Sequence, residues 1–194
     1  MGVRLVLIGA PGSGKGTQAQ LLADASGARH IATGDLLRAE VDRGTELGQQ
    51  VAPLLDSGAL VPDQTLLDLV LPLVRAEQPP HYILDGFPRS CPQAVRFDEL
   101  AGSAAPERAV LLEVPRDELV QRMLRRASEQ HRSDDSEEVI RHRLQVFDTQ
   151  TSPLIDHYRA DGRLSVLPAG GPVPQVAAEL ARLLAGLSML GRTV

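Results

Sequence analysis

The chain has 194 residues, 43% hydrophobic and 23% charged, the balance of one globular domain with a sizeable buried core. Its net charge of −5 does not suggest a partner that is nucleic acid or an anionic membrane, and no apolar run approaches the roughly 20 residues that span a bilayer. The single cysteine, Cys91, excludes an internal disulfide and a multi-cysteine zinc site and fits a reducing compartment. The N-terminus enters a strand-like run at once, without a signal-peptide pattern.

Val3–Gly9 reads as a short apolar strand of a parallel sheet. A glycine-rich turn follows, then a helix over Gln18–Ala25 stopped at Gly27. His30–Ala32 is a second short strand, Asp35–Arg43 and Glu46–Asp56 are short helices parted by Gly44, and Ser57–Pro62 is a turn. Asp63 is an N-cap for a helix to Glu77 that Pro72 should kink. Strands at His81–Asp85, Ala109–Val114 and Leu164–Leu167 alternate with helices at Pro92–Leu100, Asp117–Arg126, Ser136–His157 (bent by Pro153) and Val173–Leu187. Strands alternating with helices imply an open α/β sheet covered on both faces. With no Trp, three Phe and two Tyr, the core must be built from Leu, Val, Ile and Ala.

Gly9-Ala10-Pro11-Gly12-Ser13-Gly14-Lys15 satisfies G-x-x-x-x-G-K between a predicted strand and a predicted helix. Glycines turn backbone N–H groups inward as an anion nest, and the helix N-terminus adds partial positive charge. Lys15 is the one lysine beside nineteen arginines. An ammonium is a compact point charge and a guanidinium a broad fork, so a small cation between phosphate oxygens accounts for keeping Lys there. Generic P-loops place Ser or Thr directly after this Lys; here Gly16 intervenes and the hydroxyl is Thr17.

Three further segments bear on the same chemistry. Thr33-Gly34-Asp35-Leu36-Leu37-Arg38 offers a hydroxyl and a bidentate phosphate clamp. Asp85-Gly86-Phe87-Pro88-Arg89 puts a carboxylate at the carboxyl end of a strand, where α/β ligands bind, and a fork just after it. Arg122, Arg125, Arg126, Arg132, Arg141 and Arg143 cluster; a solvated helix face explains Arg125 and Arg141, whereas preorganised forks suit phosphoryl transfer.

The string Gly9–Gln20 with its GKGT, the TGDLLR and Ser57–Asp63 segments, DGFPR with Gln93, and Arg126…Arg132-x-Asp134-Asp135…Arg141-x-Arg143 together resemble the adenylate kinases among the nucleoside monophosphate kinases. The resemblance spans nearly the whole chain. It implies a P-loop NTPase fold with a five-stranded parallel sheet: a core of residues 1–32, 62–125 and 144–194, an AMP-binding insertion at 33–61 and a short lid at 126–143. It implies the reaction of MgATP with AMP to give two ADP, in a cytoplasmic monomer. ATP would be held by Gly12, Ser13, Gly14, Lys15, Gly16, Thr17, Arg122 and Arg126, with Gly171 against the adenine. AMP would be held by Thr33, Arg38, Ala59, Leu60, Val61, Gly86, Phe87, Pro88, Arg89 and Gln93. Arg132 and Arg143 would bridge donor and acceptor, with Asp134 and Asp135 positioning them. Lys15, Arg89, Arg122, Arg126, Arg132 and Arg143 would carry catalysis, and Asp85 with Thr17 would hold Mg²⁺, Asp85 through water. Ala127–His131 is too short for the long, sometimes zinc-bearing lid, so no zinc is expected; His131 stands where many relatives have Gly. Two alternatives stand beside this reading: a UMP- or CMP-preferring kinase, and a nucleotide-binding regulatory protein without turnover.

Overall fold

The computed structural model describes residues 2–76, 79–130 and 136–190. Among them five strands form one sheet: β1 (Arg4–Ile8), β2 (Arg29–Ala32), β3 (Tyr82–Asp85), β4 (Arg108–Glu113) and β5 (Leu164–Pro168). All pairings are parallel and the order is β2-β3-β1-β4-β5. The order reverses at β1, so the loops leaving β1 and its neighbours part there and leave a crevice at the carboxyl edge.

Nine helices cover the sheet or extend from it: α1 (Lys15–Ser26), α2 (Thr33–Asp42), α3 (Glu46–Ser57), α4 (Asp63–Arg75), α5 (Cys91–Ala101), α6 (Arg116–Gln130), α7 (Glu137–Val146), α8 (Ser152–Ala160) and α9 (Val173–Leu190), counted among the described residues. β1 shows why this sequence needs helices on both sides. Leu5 and Leu7 join Ala19 and Leu22 of α1 and Val176 and Leu180 of α9. Val6 and Ile8 point the other way, into Leu67 and Val70 of α4, Phe97 of α5 and Leu154 and Tyr158 of α8. None of these four β1 side chains is more than 3% exposed, and each buried leucine contributes on the order of 1.5–3 kcal/mol. A third cluster, Ala10, Leu119, Met123, Ile140 and Leu144, ties α6 and α7 to the loop after β1.

Two predicted helices come out differently. Ser136–His157 is not one helix bent at Pro153: α7 ends at Val146, a π-helical turn spans Phe147–Thr151, and α8 begins at Ser152. Pro153 lies in the first turn of α8, where its missing N–H has no intrahelical partner to lose. The break therefore precedes the proline and lies in the widened turn. The helix predicted over Asp117–Arg126 runs on to Gln130, since nothing in that stretch is Gly or Pro. Arg126 thus projects from a continuous helix that starts in the core. α2 begins at Thr33 directly after Ala32 of β2, and α3 is capped by Thr45, whose hydroxyl accepts from Gly48 N at 3.0 Å.

Candidate active site

A cleft of about 1060 Å³ opens at the carboxyl edge of the sheet. Its floor is the loop between β1 and α1. Gly12 and Gly14 have φ of 83° and 89°, a left-handed conformation that a side chain would strain, and this turns the loop's N–H groups toward the cleft. Gly12, Gly14, Lys15, Gly16 and Thr17 line it, while Ser13 is buried beneath, its N–H donating to Ala10 O at 3.1 Å.

The Lys15 ammonium donates to Gly9 O at 2.8 Å and Ala10 O at 3.1 Å. Desolvation lowers its pKa to about 8, against the attraction of Asp85 and with help from Arg89, Arg143 and Arg126. It is thus held in a setting that favours an added anion. Asp85 ends β3 facing Lys15. Burial alone would raise the pKa of its carboxyl, but His30, whose Nε2 stands 3.8 Å from Oδ2, together with Lys15 and Arg89, outweighs this and holds it low. Asp85 is therefore ionised at neutral pH.

The carboxylate also explains Gly16. A Cβ at Gly16 would stand 3.3 Å from Asp85 Oδ2, so the place a generic P-loop fills with Ser or Thr is here cleared for the acid. One ionised carboxylate with the nearby Thr17 hydroxyl, both on the cleft, fits Mg²⁺, a hard cation that keeps water and phosphate oxygens as its other ligands. Among the described residues no group of three or more His, Cys, Asp or Glu could hold a metal unaided.

The opposite wall is made of forks from separate elements. Arg38 on α2 pairs with Asp35 at 2.5 Å. Arg89 donates from Nε to Gly86 O at 2.8 Å. Arg143 of α7 lies over Gly58, the C-cap of α3, its Cγ 2.6 Å from where a Cβ would be. Gly86, Pro88 and Leu60 line the same wall. Arg122 and Arg126 of α6 and Gly171 after β5 close the far end.

The site thus joins a nucleotide loop, an acid on the neighbouring strand and converging arginines. The family model described as adenylate kinase matches residues 7–163. The chain belongs to the adenylate kinase family. An adenylate kinase of Synechococcus sp. (strain RCC307) is 46% identical over 190 residues, covering 95% of this chain and all of that protein. One of Thermus thermophilus is 44% identical over 182 residues, covering 93% and 96%. One of Deinococcus deserti is 45% identical over 180 residues, covering 89% and 91%.

Not every residue that the adenylate kinase resemblance brought forward borders the cleft. Thr33 is buried and donates to Asp85 O at 3.3 Å. Ala59 and Val61 flank Leu60 without lining the cleft, Val61 being in the core. Phe87 packs edge-on against Phe97, ring centroids 5.2 Å apart. Gln93 is fully buried: its Oε1 accepts from Arg89 N at 2.7 Å and its Nε2 donates to Asp63 Oδ1 at 2.6 Å. Arg132, Asp134, Asp135 and His131 lie outside the described residues.

The cleft of this adenylate kinase family member also holds residues that sequence reasoning passed over. His30 is one of several scattered histidines in the sequence; the register Ala32↔Asp85 brings it beside the acid. Glu118 borders the cleft too. Its signal was the i,i+4 spacing to Arg122 on a predicted helix.

Proposed function

We propose that the protein catalyses reversible phosphoryl transfer, ATP as its magnesium complex plus AMP giving two ADP. The observation that carries this is one cleft lined by both a P-loop lysine and a separate set of forks from α2, the turn after β3, and α7. Its volume of about 1060 Å³ stands at the top of the usual range for small-ligand sites and suits two nucleotides.

In this reading residues 33–61 are the acceptor insertion, 126–143 the lid and the rest the core. The P-loop N–H groups and Lys15 hold the donor phosphates. Arg38 and Arg89 fix the acceptor phosphate, and Arg143, with Arg132 by resemblance, reaches between the two. An oxygen of the AMP phosphate attacks the γ-phosphorus, the bond to the β,γ-bridging oxygen breaks, and ADP leaves as a second ADP forms. The attacking oxygen is already anionic, so no general base is required and no proton has to move. Catalysis is then alignment plus charge neutralisation over the transferring oxygens. Bound Mg²⁺ would supply further neutralisation of the donor phosphates, held by Thr17 and, through water, by Asp85. Closing of the lid would exclude water and protect ATP from hydrolysis. A cytoplasmic monomer completes the proposal; sedimentation tests its second half.

The test is product formation from MgATP with AMP, UMP, CMP, GMP or water as acceptor, resolved by anion-exchange chromatography. Two ADP per AMP consumed is expected. Preference for UMP or CMP would overturn the acceptor assignment, and no transfer to any acceptor would overturn the enzyme itself.

A further inference from the structure

Thr33 and Thr151 are the buried threonines among the described residues, and they spend their hydroxyls differently. Thr33 donates to Asp85 O at 3.3 Å and does not border the cleft. Thr151, 7% exposed, does border it. A threonine within a helix can bond back to its own turn, as Thr149 does to Gln145 O at 2.9 Å. A threonine just ahead of a helix can cap it, but Thr151 keeps helical backbone angles, φ −96° and ψ −31°, and its side chain caps nothing in α8. Among the described residues its hydroxyl makes no hydrogen bond. That oxygen is not one of the buried polar atoms left without a partner, so it reaches the open space of the cleft.

The widened turn brings it there. In an α-helix a side chain eight residues on has drifted by about 80° from its starting line. Here Ser152 N bonds to Phe147 O, five residues back, and the extra residue in the turn takes up part of that drift. Arg143, Phe147 and Thr151 therefore all border the cleft. From outside, the turn is held by Arg116, whose Nη1 donates to Asp148 Oδ2 at 2.6 Å. Phe147, one turn earlier, packs against the cluster that holds Ala10 of the donor loop. Leu154, just after, belongs with Ile8 and Phe87 to the core beneath the acceptor turn. Thr151 thus stands between the loop after β1 and the turn after β3, where a phosphoryl group passing from one nucleotide to the other must cross.

We propose that Thr151 is a further catalytic residue, its hydroxyl donating a hydrogen bond to an oxygen of the phosphoryl group in transfer. The inference rests on the proposed reaction and deepens it by adding a neutral donor to a set of cations. Arg38 is bound to Asp35 and Arg89 to Gly86 O, so each meets a phosphate while sharing its donors with the protein. The Thr151 hydroxyl has no acceptor among the described residues to give up. It is aimed at the space between the two loops rather than at either resting phosphate, and a bond made there raises kcat instead of tightening binding. No proton is transferred: the hydroxyl hydrogen stays on Oγ1 throughout.

The test compares Thr151→Val, which keeps the shape and removes the donor, and Thr151→Ser, which keeps the donor, with the unchanged enzyme. Thr151→Val should lower kcat about tenfold while KM for ATP and KM for AMP stay within about twofold and the thermal midpoint holds. Thr151→Ser should recover most of the loss. An unchanged kcat in Thr151→Val overturns the proposal, and so does a loss that Thr151→Ser shares or that enters through KM. If Thr151→Val fails to fold, Thr151→Ala set against Thr151→Ser makes the same comparison. Should the unchanged protein make no ADP from AMP, the reaction falls. Calorimetric binding of ADP with aluminium fluoride, a mimic of the phosphoryl group in transfer, then still decides the role of Thr151: affinity about tenfold weaker in Thr151→Val supports the donor, and equal affinity overturns it.

Discussion

In the proposed reaction the donor-phosphate end of the cleft and its acceptor end solve the same problem, holding an anion, with different materials. The donor end is one continuous stretch, Gly9 to Thr17, and works mainly through backbone N–H groups, glycine turns and one ammonium. The acceptor end gathers side chains from α2, the turn after β3, and α7, each fixed by its own neighbour: Arg38 by Asp35, Arg89 by Gly86 O, Arg143 by the surface over Gly58. A backbone nest is set by local conformation. A set of forks is set by packing over long sequence separations, so its failure should be graded and confined to the acceptor.

The largest expected effect tests the donor end. Lys15→Arg keeps the charge but brings a planar fork into a space closed by Gly9 O and Ala10 O. kcat/KM should fall by about 10³ with little change in thermal midpoint, and steady-state kinetics would show it. On the acceptor side, Arg89→Lys should lower kcat/KM for AMP by about 10² and leave KM for ATP nearly unchanged. Equal losses for both substrates would mean that the two ends are not separable.

A pH profile sharpens the comparison further. Lys15 has its pKa lowered to about 8, so below that pH the ammonium is present and kcat/KM for ATP should be flat. Above it, the value should fall about tenfold per pH unit as the amine forms. Bound phosphates favour the charged form, so kcat at saturating ATP should stay level to higher pH. For stability the sign is opposite. The cost of burying the ammonium is complete below about 8, and between there and 10.5, the ordinary lysine value, the unfolded chain binds the extra proton. That contribution to stability therefore rises with pH over this window.

The smallest kinetic effect and the clearest structural one belong to Gln93. Gln93→Ala would leave Arg89 N and Asp63 Oδ1 without this partner. It should cost about 1–3 kcal/mol in denaturant unfolding and raise KM for AMP a few-fold through the loosened Arg89 turn. A large KM effect without loss of stability would instead place the amide on the nucleotide.

The same contrast explains what the sequence disclosed. The donor loop is contiguous, so its spacing is visible in the chain itself. The parallel sheet was visible because β1 is apolar on both faces, as a strand buried between two layers of helices must be. Glu118 and His30 join the site only when β5 and β3 come beside α6 and β2, and no local pattern carries that. The π-helical turn escaped for a different reason: it rests on backbone bonds over Phe147–Thr151, where residue types give no warning, while the adjacent Pro153 drew the break to itself. The burial of Gln93 depends on Asp63, thirty residues away in the chain.

Lys15, capped by two carbonyls of its own loop, carries the only ε-amine in the chain. Labelling lysine alone with ¹⁵N therefore gives one side-chain signal, unassigned yet unambiguous, at the place where donor phosphates would arrive. The composition makes the enzyme its own single-site reporter: occupancy, protonation and exchange at that loop can be followed in a spectrum whose one other signal is the backbone amide of the same residue.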